Sequence, residues 1–210
     1  MARQFDELNG AGKESKPRSI PYDEFFDIER LSEEEKRQRI ELAEEFEILL
    51  LYFFVVFLDG NIEMDYEQMV YEKYVEIADR FLNLQQPSAY IEEYARQYAY
   101  DLVRATKEHE GEEYYTSYDR GRLNAELQAN FCGNYRMQIE AVKSGKTKKM
   151  WQSMRDMYVR KTHVHADGQT VGIFEPFKVG DSLMMFPTDQ ETFNAEPKEI
   201  IGCRCICKYL

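Results

Sequence analysis

The stretch KKMWQSMRDMYVRKTHVHADGQTVGIFEPFKVGDSLMMFPTDQETFNAEPKEIIGCRCICKYL, residues 148–210, consists of short apolar groups broken by Gly and Pro. That texture predicts small strands and turns rather than further helix. Within it, Asp167-Gly168 between residues 162–166 and 170–174 predicts a β-hairpin, because a tight turn favours Asp and Gly at positive φ. Near the end, Ile201, Cys203, Cys205, Cys207 and Tyr209 recur at every second position. A terminal strand with those side chains on one buried face and Arg204 and Lys208 outside is therefore expected.

Upstream the period is helical. Ser32-Glu33-Glu34-Glu35 has the spacing of a capping box and opens a long helix that ends in the apolar run Ile48 to Leu58. That run holds 11 residues, against the roughly 20 a membrane-spanning helix needs, so it is expected to be buried in the protein. A second helix is predicted from Ile62 to Leu84, with Met69, Val70, Tyr74, Ile77, Ala78 and Phe81 on one face. A third runs from Ser88 to His109 and a fourth from Ser117 to Ser144, the latter with Leu123, Leu127, Phe131, Tyr135, Ile139 and Val142 as its stripe. Gly133 should weaken it locally. Residues 1–20 lack apolar periodicity and read as a mobile arm. The fold class predicted is α+β, long N-terminal helices followed by short strands and turns: a mobile arm (1–20), an acidic helical region (21–118), and a C-terminal domain (119–210) that opens with the fourth helix and turns to short strands beyond Gly145.

The formal net charge is −12, which excludes a chain whose whole surface clings to phosphate. Its distribution is uneven. Residues 1–118 carry 13 Lys and Arg against 28 Asp and Glu, whereas residues 119–210 carry 14 against 11. The basic residues concentrate at Lys143, Lys146, Lys148, Lys149, Arg155, Arg160 and Lys161, opposed in that span by Asp156 alone. This is the candidate DNA-contacting patch, and its contacts would be to the backbone, since nothing in it resembles a groove-reading motif. The tyrosines of the helical half are interleaved mostly with Glu, which suits an aromatic core and a protein-contact surface better than a platform for single-stranded nucleic acid.

No basic leader precedes an apolar segment, so the product is expected to stay where it is made, with its four cysteines reduced. His163 and His165 with Cys203 and Cys205 would supply four zinc ligands. Alternate residues on a flat strand sit about 6.6 Å apart, however, against about 4 Å for two thiolates on one zinc, so a bend, for which Gly202 is placed, would be required. The other reading of the cysteines is plain core packing. Asp156 and Arg160 are four apart, the spacing at which they meet on a helical turn, with His163 next. They could orient a base or simply pin a turn; no Ser or Cys nucleophile motif accompanies them, and a non-enzymatic protein is expected.

One ordered series runs through this region: Trp151, then Asp156-x-x-Val159-Arg160-x-x-His163, then Asp167-Gly168, then Pro187 before Asp189, and finally Cys203-Arg204-Cys205. That series resembles the Mu F-like phage minor head, or phage head morphogenesis, family. The resemblance implies a minor capsid protein of a tailed phage, assembled in the bacterial host cytoplasm into the virion head, associated with the portal vertex and aiding head morphogenesis or DNA delivery. The partners it implies are the portal protein and capsid subunits, with packaged DNA nearby and no membrane. No cofactor is implied, a structural zinc being the one candidate. The rival readings are a metal-dependent nuclease or phage-delivered effector using the His and Cys cluster, and a cytosolic adaptor.

Overall fold

A computed structural model describes residues 20–60, 64–84, 88–190, 192 and 194–210. All of the expected arm except Ile20 lies outside these residues, as does Ile62; the second long helix, expected from Ile62, begins only at Tyr66, since Met64 and Asp65 are not helical and Asp65 is its cap. The elements are α1 (Tyr22–Phe25), α2 (Glu33–Leu58), α3 (Tyr66–Leu82), α4 (Ala89–Glu108), a 3-10 turn (Glu113–Thr116) and α5 (Tyr118–Lys143). There follow β1 (Lys148–Gln152), α6 (Lys161–Ala166), β2 (Thr170–Gly172), β3 (Phe177–Val179), β4 (Ser182–Met184), α7 (Pro197–Ile200) and β5 (Ile206–Tyr209). The chain is α+β, with long helices first and short antiparallel strands last.

Each long helix begins where its sequence supplies a cap. Ser32 Oγ accepts from Glu35 N at 3.2 Å and the Glu35 carboxylate accepts from Ser32 N at 2.9 Å, a complete capping box on α2. Asp65, Ser88 and Ser117 cap α3, α4 and α5 in the same way with a side-chain oxygen. Asn83 ends α3 in the left-handed conformation, φ 48°, which Asn tolerates better than most residues.

α2 and α5, 26 residues each, pack along one another, and α3 and α4 close the bundle against them. The aromatic core between them includes Tyr94 stacked on Phe131 at 3.9 Å between centroids and Phe46 against Tyr74 at 4.8 Å. The Tyr74 and Tyr94 hydroxyls both donate to Gln128 Oε1 at 2.9 Å, so their polar ends are satisfied inside the core. Tyr100 and Tyr118 instead face solvent.

Two expectations about the helices change. The run Ile48 to Leu58 is not buried as a whole: Leu49, Leu50, Phe53 and Phe54 point inward, while Ile48, Tyr52, Val55 and Leu58 are 51 to 69% exposed. A helix turning 100° per residue can bury only part of a continuous apolar run unless neighbours cover every side. α5 shows the opposite case. Rather than burying one stripe, it is enclosed on all sides from Asn124 to Asn134, because the other helices lie on one flank and the C-terminal segments on the other.

The strands form a three-stranded antiparallel sheet in the order β2-β1-β5 and a separate β3-β4 hairpin. Trp151 on β1 lies opposite Cys207 on β5 and is fully buried. The buried apolar cluster is continuous from Tyr22 to Cys207, so helices and strands share one core. The predicted hairpin over 162–174 is replaced by a different structure. Residues Lys161–Ala166 are helical, and Asp167-Gly168, with Gly168 at φ 82°, turns the chain from that helix into β2. The Asp-Gly signal marks the turn correctly, but β2 takes β1 as its partner, leaving residues 162–166 free to be helix.

Candidate functional site

α6 and the segment from α7 to β5 meet at His163. Its ring is 2% exposed; Nδ1 lies 3.4 Å from Cys205 Sγ and 3.7 Å from Cys203 Sγ, and Nε2 lies 3.1 Å from Glu199 Oε2. Glu199 is itself buried and accepts a 2.7 Å hydrogen bond from Thr162 Oγ1. Trp151 stands edge-on to the imidazole, centroids 5.6 Å apart, and closes the inner side. The ligating atoms of His163, Cys203 and Cys205 all lie within 4.8 Å of one another.

Cys203 and Cys205 precede β5 instead of lying on it. Gly202, at φ 64°, makes the bend, and the two thiols converge where a flat strand would have held them apart. Cys207 alone of the three is on the strand, buried opposite Trp151. His165, expected beside His163 on a strand face, is exposed on α6 and takes no part. Two positions along a helix rotate a side chain by about 200°, so the pair diverges.

Burial disfavours a charged imidazole at His163, but the hydrogen bond and charge of Cys203 outweigh it and raise its pKa. The Cys203 thiol is held well below the usual thiol range by hydrogen bonds from Cys205 and His163, against the cost of burial. Cys205, giving its proton to that bond, is pushed well above it.

The backbone of the cysteine loop is gripped from α5. Asn130 Nδ2 donates to Cys203 O at 2.7 Å, and Asn134 Nδ2 donates to Cys205 O at 3.2 Å and to Pro187 O at 2.9 Å. Those two asparagines are in turn held by Arg39 of α2, whose guanidinium donates to both side-chain oxygens and is 1% exposed. Burial lowers its pKa to about 10. Gly133 is what makes room: a Cβ there would stand 2.5 Å from Arg39 Cζ.

Of the remaining elements of the series found in the sequence, Asp156, Val159 and Arg160 reach the same loop, whereas Asp167 and Asp189 fasten neighbouring segments. Asp156 pairs with Arg204, not with Arg160 as the four-residue spacing suggested, because residues 156–160 are not helical. Arg160 reaches Ile201 O, and Val159, partly buried, lines the cleft beside the thiols. Asp167 accepts from Ser153 N at 2.8 Å and pairs with Arg155 at 2.8 Å. Asp189 accepts from Tyr90 OH at 2.6 Å and from Met185 N at 2.8 Å.

The basic patch is smaller than the sequence suggests. Lys143, Lys146, Lys148 and Lys161 are exposed, and Arg155 is exposed but paired. Lys149 is fully buried: Nζ donates to Met185 O at 2.6 Å, and burial lowers its pKa to about 8. Strand alternation on β1 turns Lys149 inward between outward neighbours, so it does not belong to a DNA-facing surface.

Sequence reasoning missed Glu199, Arg39 and the amides of α5. Glu199 carries no motif. The amides left a trace: Asn130, Asn134 and Gln138 recur every fourth residue in a helix where Asn is a poor helix former, a row that implies use as hydrogen-bonding groups.

A helical scaffold clamping a small Cys- and His-centred α+β unit is the class these features define. The sequence matches the family model described as Phage Mu protein F like protein over residues 83–208, and the chain belongs to that phage head morphogenesis family. The match reaches back through α4, well upstream of the motif series. No curated protein and no solved structure matches the chain significantly.

Proposed function

We propose that this chain is a structural component of a tailed-phage head that sits at the portal vertex and aids head assembly or genome delivery. The family match over residues 83–208 carries the reading. In it, the acidic helices dock on portal or capsid subunits. The exposed face of α2, with Ile48, Tyr52, Val55 and Leu58 at helical spacing, supports that half, since a solvent-facing apolar stripe on a charged helix suits a protein contact. The exposed lysines 143, 146, 148 and 161 would lie near packaged DNA and touch only its backbone. No helix among the described residues is long and apolar enough to cross a membrane.

The test is mass spectrometry of gradient-purified particles from the phage encoding the chain, with cross-linking before disruption. Peptides of this chain in heads, cross-linked to portal, are expected, and Val55→Glu should lower incorporation while leaving the purified protein folded. Absence from particles, with a stable complex to a host protein outside them, would overturn the assignment.

A further inference from the structure

We infer that His163 Nδ1, Cys203 Sγ and Cys205 Sγ form a zinc site in this chain, with Glu199 orienting the imidazole from its far side. Tetrahedral zinc with bonds of about 2.0 Å to nitrogen and about 2.3 Å to sulfur holds a nitrogen and a sulfur ligand about 3.6 Å apart. The two nitrogen–sulfur distances here are 3.4 and 3.7 Å. Ordinary core cysteines do not need that match, and Cys132 and Cys207, buried equally well, stand in no such group among the described residues.

The surroundings are those of a metal ligand set. A buried carboxylate on the second nitrogen of a ligating histidine fixes its orientation and leaves the other nitrogen to face the metal. Glu199 does this at 3.1 Å and is itself fixed by Thr162. Two thiolates and an imidazole select a soft or borderline cation over magnesium or calcium. The fourth position falls toward a cleft of about 20 Å³ bordered by Tyr158, Val159, Arg160 and Arg204, room for about one water molecule. Such a cleft is too small for a substrate carbonyl to reach either thiol, which sets this reading above a Cys-His nucleophile. Zinc here fastens α6 to the loop before β5, two segments otherwise joined by few residues in a region of short strands.

The full chain, purified under reducing conditions with zinc supplied and excess removed by gel filtration, is to be assayed by elemental analysis. One zinc per chain is expected, lost from His163→Ala and from the Cys203→Ser, Cys205→Ser double variant, and kept by Cys132→Ser, Cys207→Ser and His165→Ala. Should the ligand variants not fold, the wild-type chain reloaded with cobalt decides the matter: thiolate-to-cobalt absorption in the near ultraviolet is expected, abolished by zinc competition. A folded wild-type chain that retains no zinc and shows no such absorption overturns the inference. So does zinc that survives in the His163 and double-cysteine variants, or a native Cys203–Cys205 disulfide found on mapping.

Discussion

Gly133→Ala separates two opposite expectations about stability. By helix propensity alone, replacing a mid-helix glycine with alanine should stabilise by about 1 kcal/mol. The structure reverses the sign. A methyl group at Gly133 would stand 2.5 to 2.8 Å from three atoms of the Arg39 guanidinium, a side chain with no solvent to retreat into. Displacing it strands the Asn130 and Asn134 oxygens and breaks two hydrogen bonds to a charged donor, each worth roughly 1.5 to 3 kcal/mol. After subtracting the propensity gain, a net loss of about 2 to 5 kcal/mol is expected, a fall in Tm of about 5 to 15 °C for a chain of this length. Urea denaturation followed by circular dichroism measures it, and the cycle with Arg39→Met isolates the cause: in that background the alanine should be neutral or stabilising. A Gly133→Ala protein with a raised midpoint in the wild-type background would refute the claim that the glycine exists to admit Arg39.

Glu126 is buried beside Glu47, with Oε1 lacking a hydrogen bond, and its pKa is pushed up to about 8 by burial, against the attraction of Arg122. Because the folded pKa exceeds the unfolded one, the stability it contributes is full below about 4.5 and lost as pH rises through about 8. Glu126→Gln should therefore be more stable than wild type above pH 8, by roughly 3 to 5 kcal/mol at most, and equal to it near pH 4, read from urea midpoints across pH. Ser32→Ala removes the α2 capping box and should cost about 1 kcal/mol, or about 2 to 4 °C in Tm by thermal melting. Trp151→Ala empties a fully buried site between β5 and Phe177; a loss of about 3 to 5 kcal/mol is expected from urea unfolding, and a loss under 1 kcal/mol would show that the sheet is not packed on it.

The sequence by itself determined the class of the fold, the family and the starts of three of the four long helices, the second beginning at Tyr66 behind its Asp65 cap and not at Ile62. Those are local or ordered properties: Ser32 and Ser117 cap whatever follows them, apolar residues at steps of three and four specify a buried face on α3, and a motif series is read along the chain. It also marked the turn at Asp167-Gly168. Only the tertiary structure decided what lay on either side of that turn, since the partner of β2 is β1, some 20 residues away, and pairing is not written in either segment. The site was legible in part for the same reason. His163, Cys203 and Cys205 stood out by residue type, but His165 was equal to His163 in sequence and was separated from it by helical rotation. Glu199 became visible through contact alone. Lys149 read as one more cation in a basic run until strand alternation placed it in the core. Gly133 read as a weak point in a helix, and proximity to Arg39, which is 94 residues earlier, made it a requirement. Charge, burial and ligation depend on what packs against a residue, and that is settled when distant segments meet.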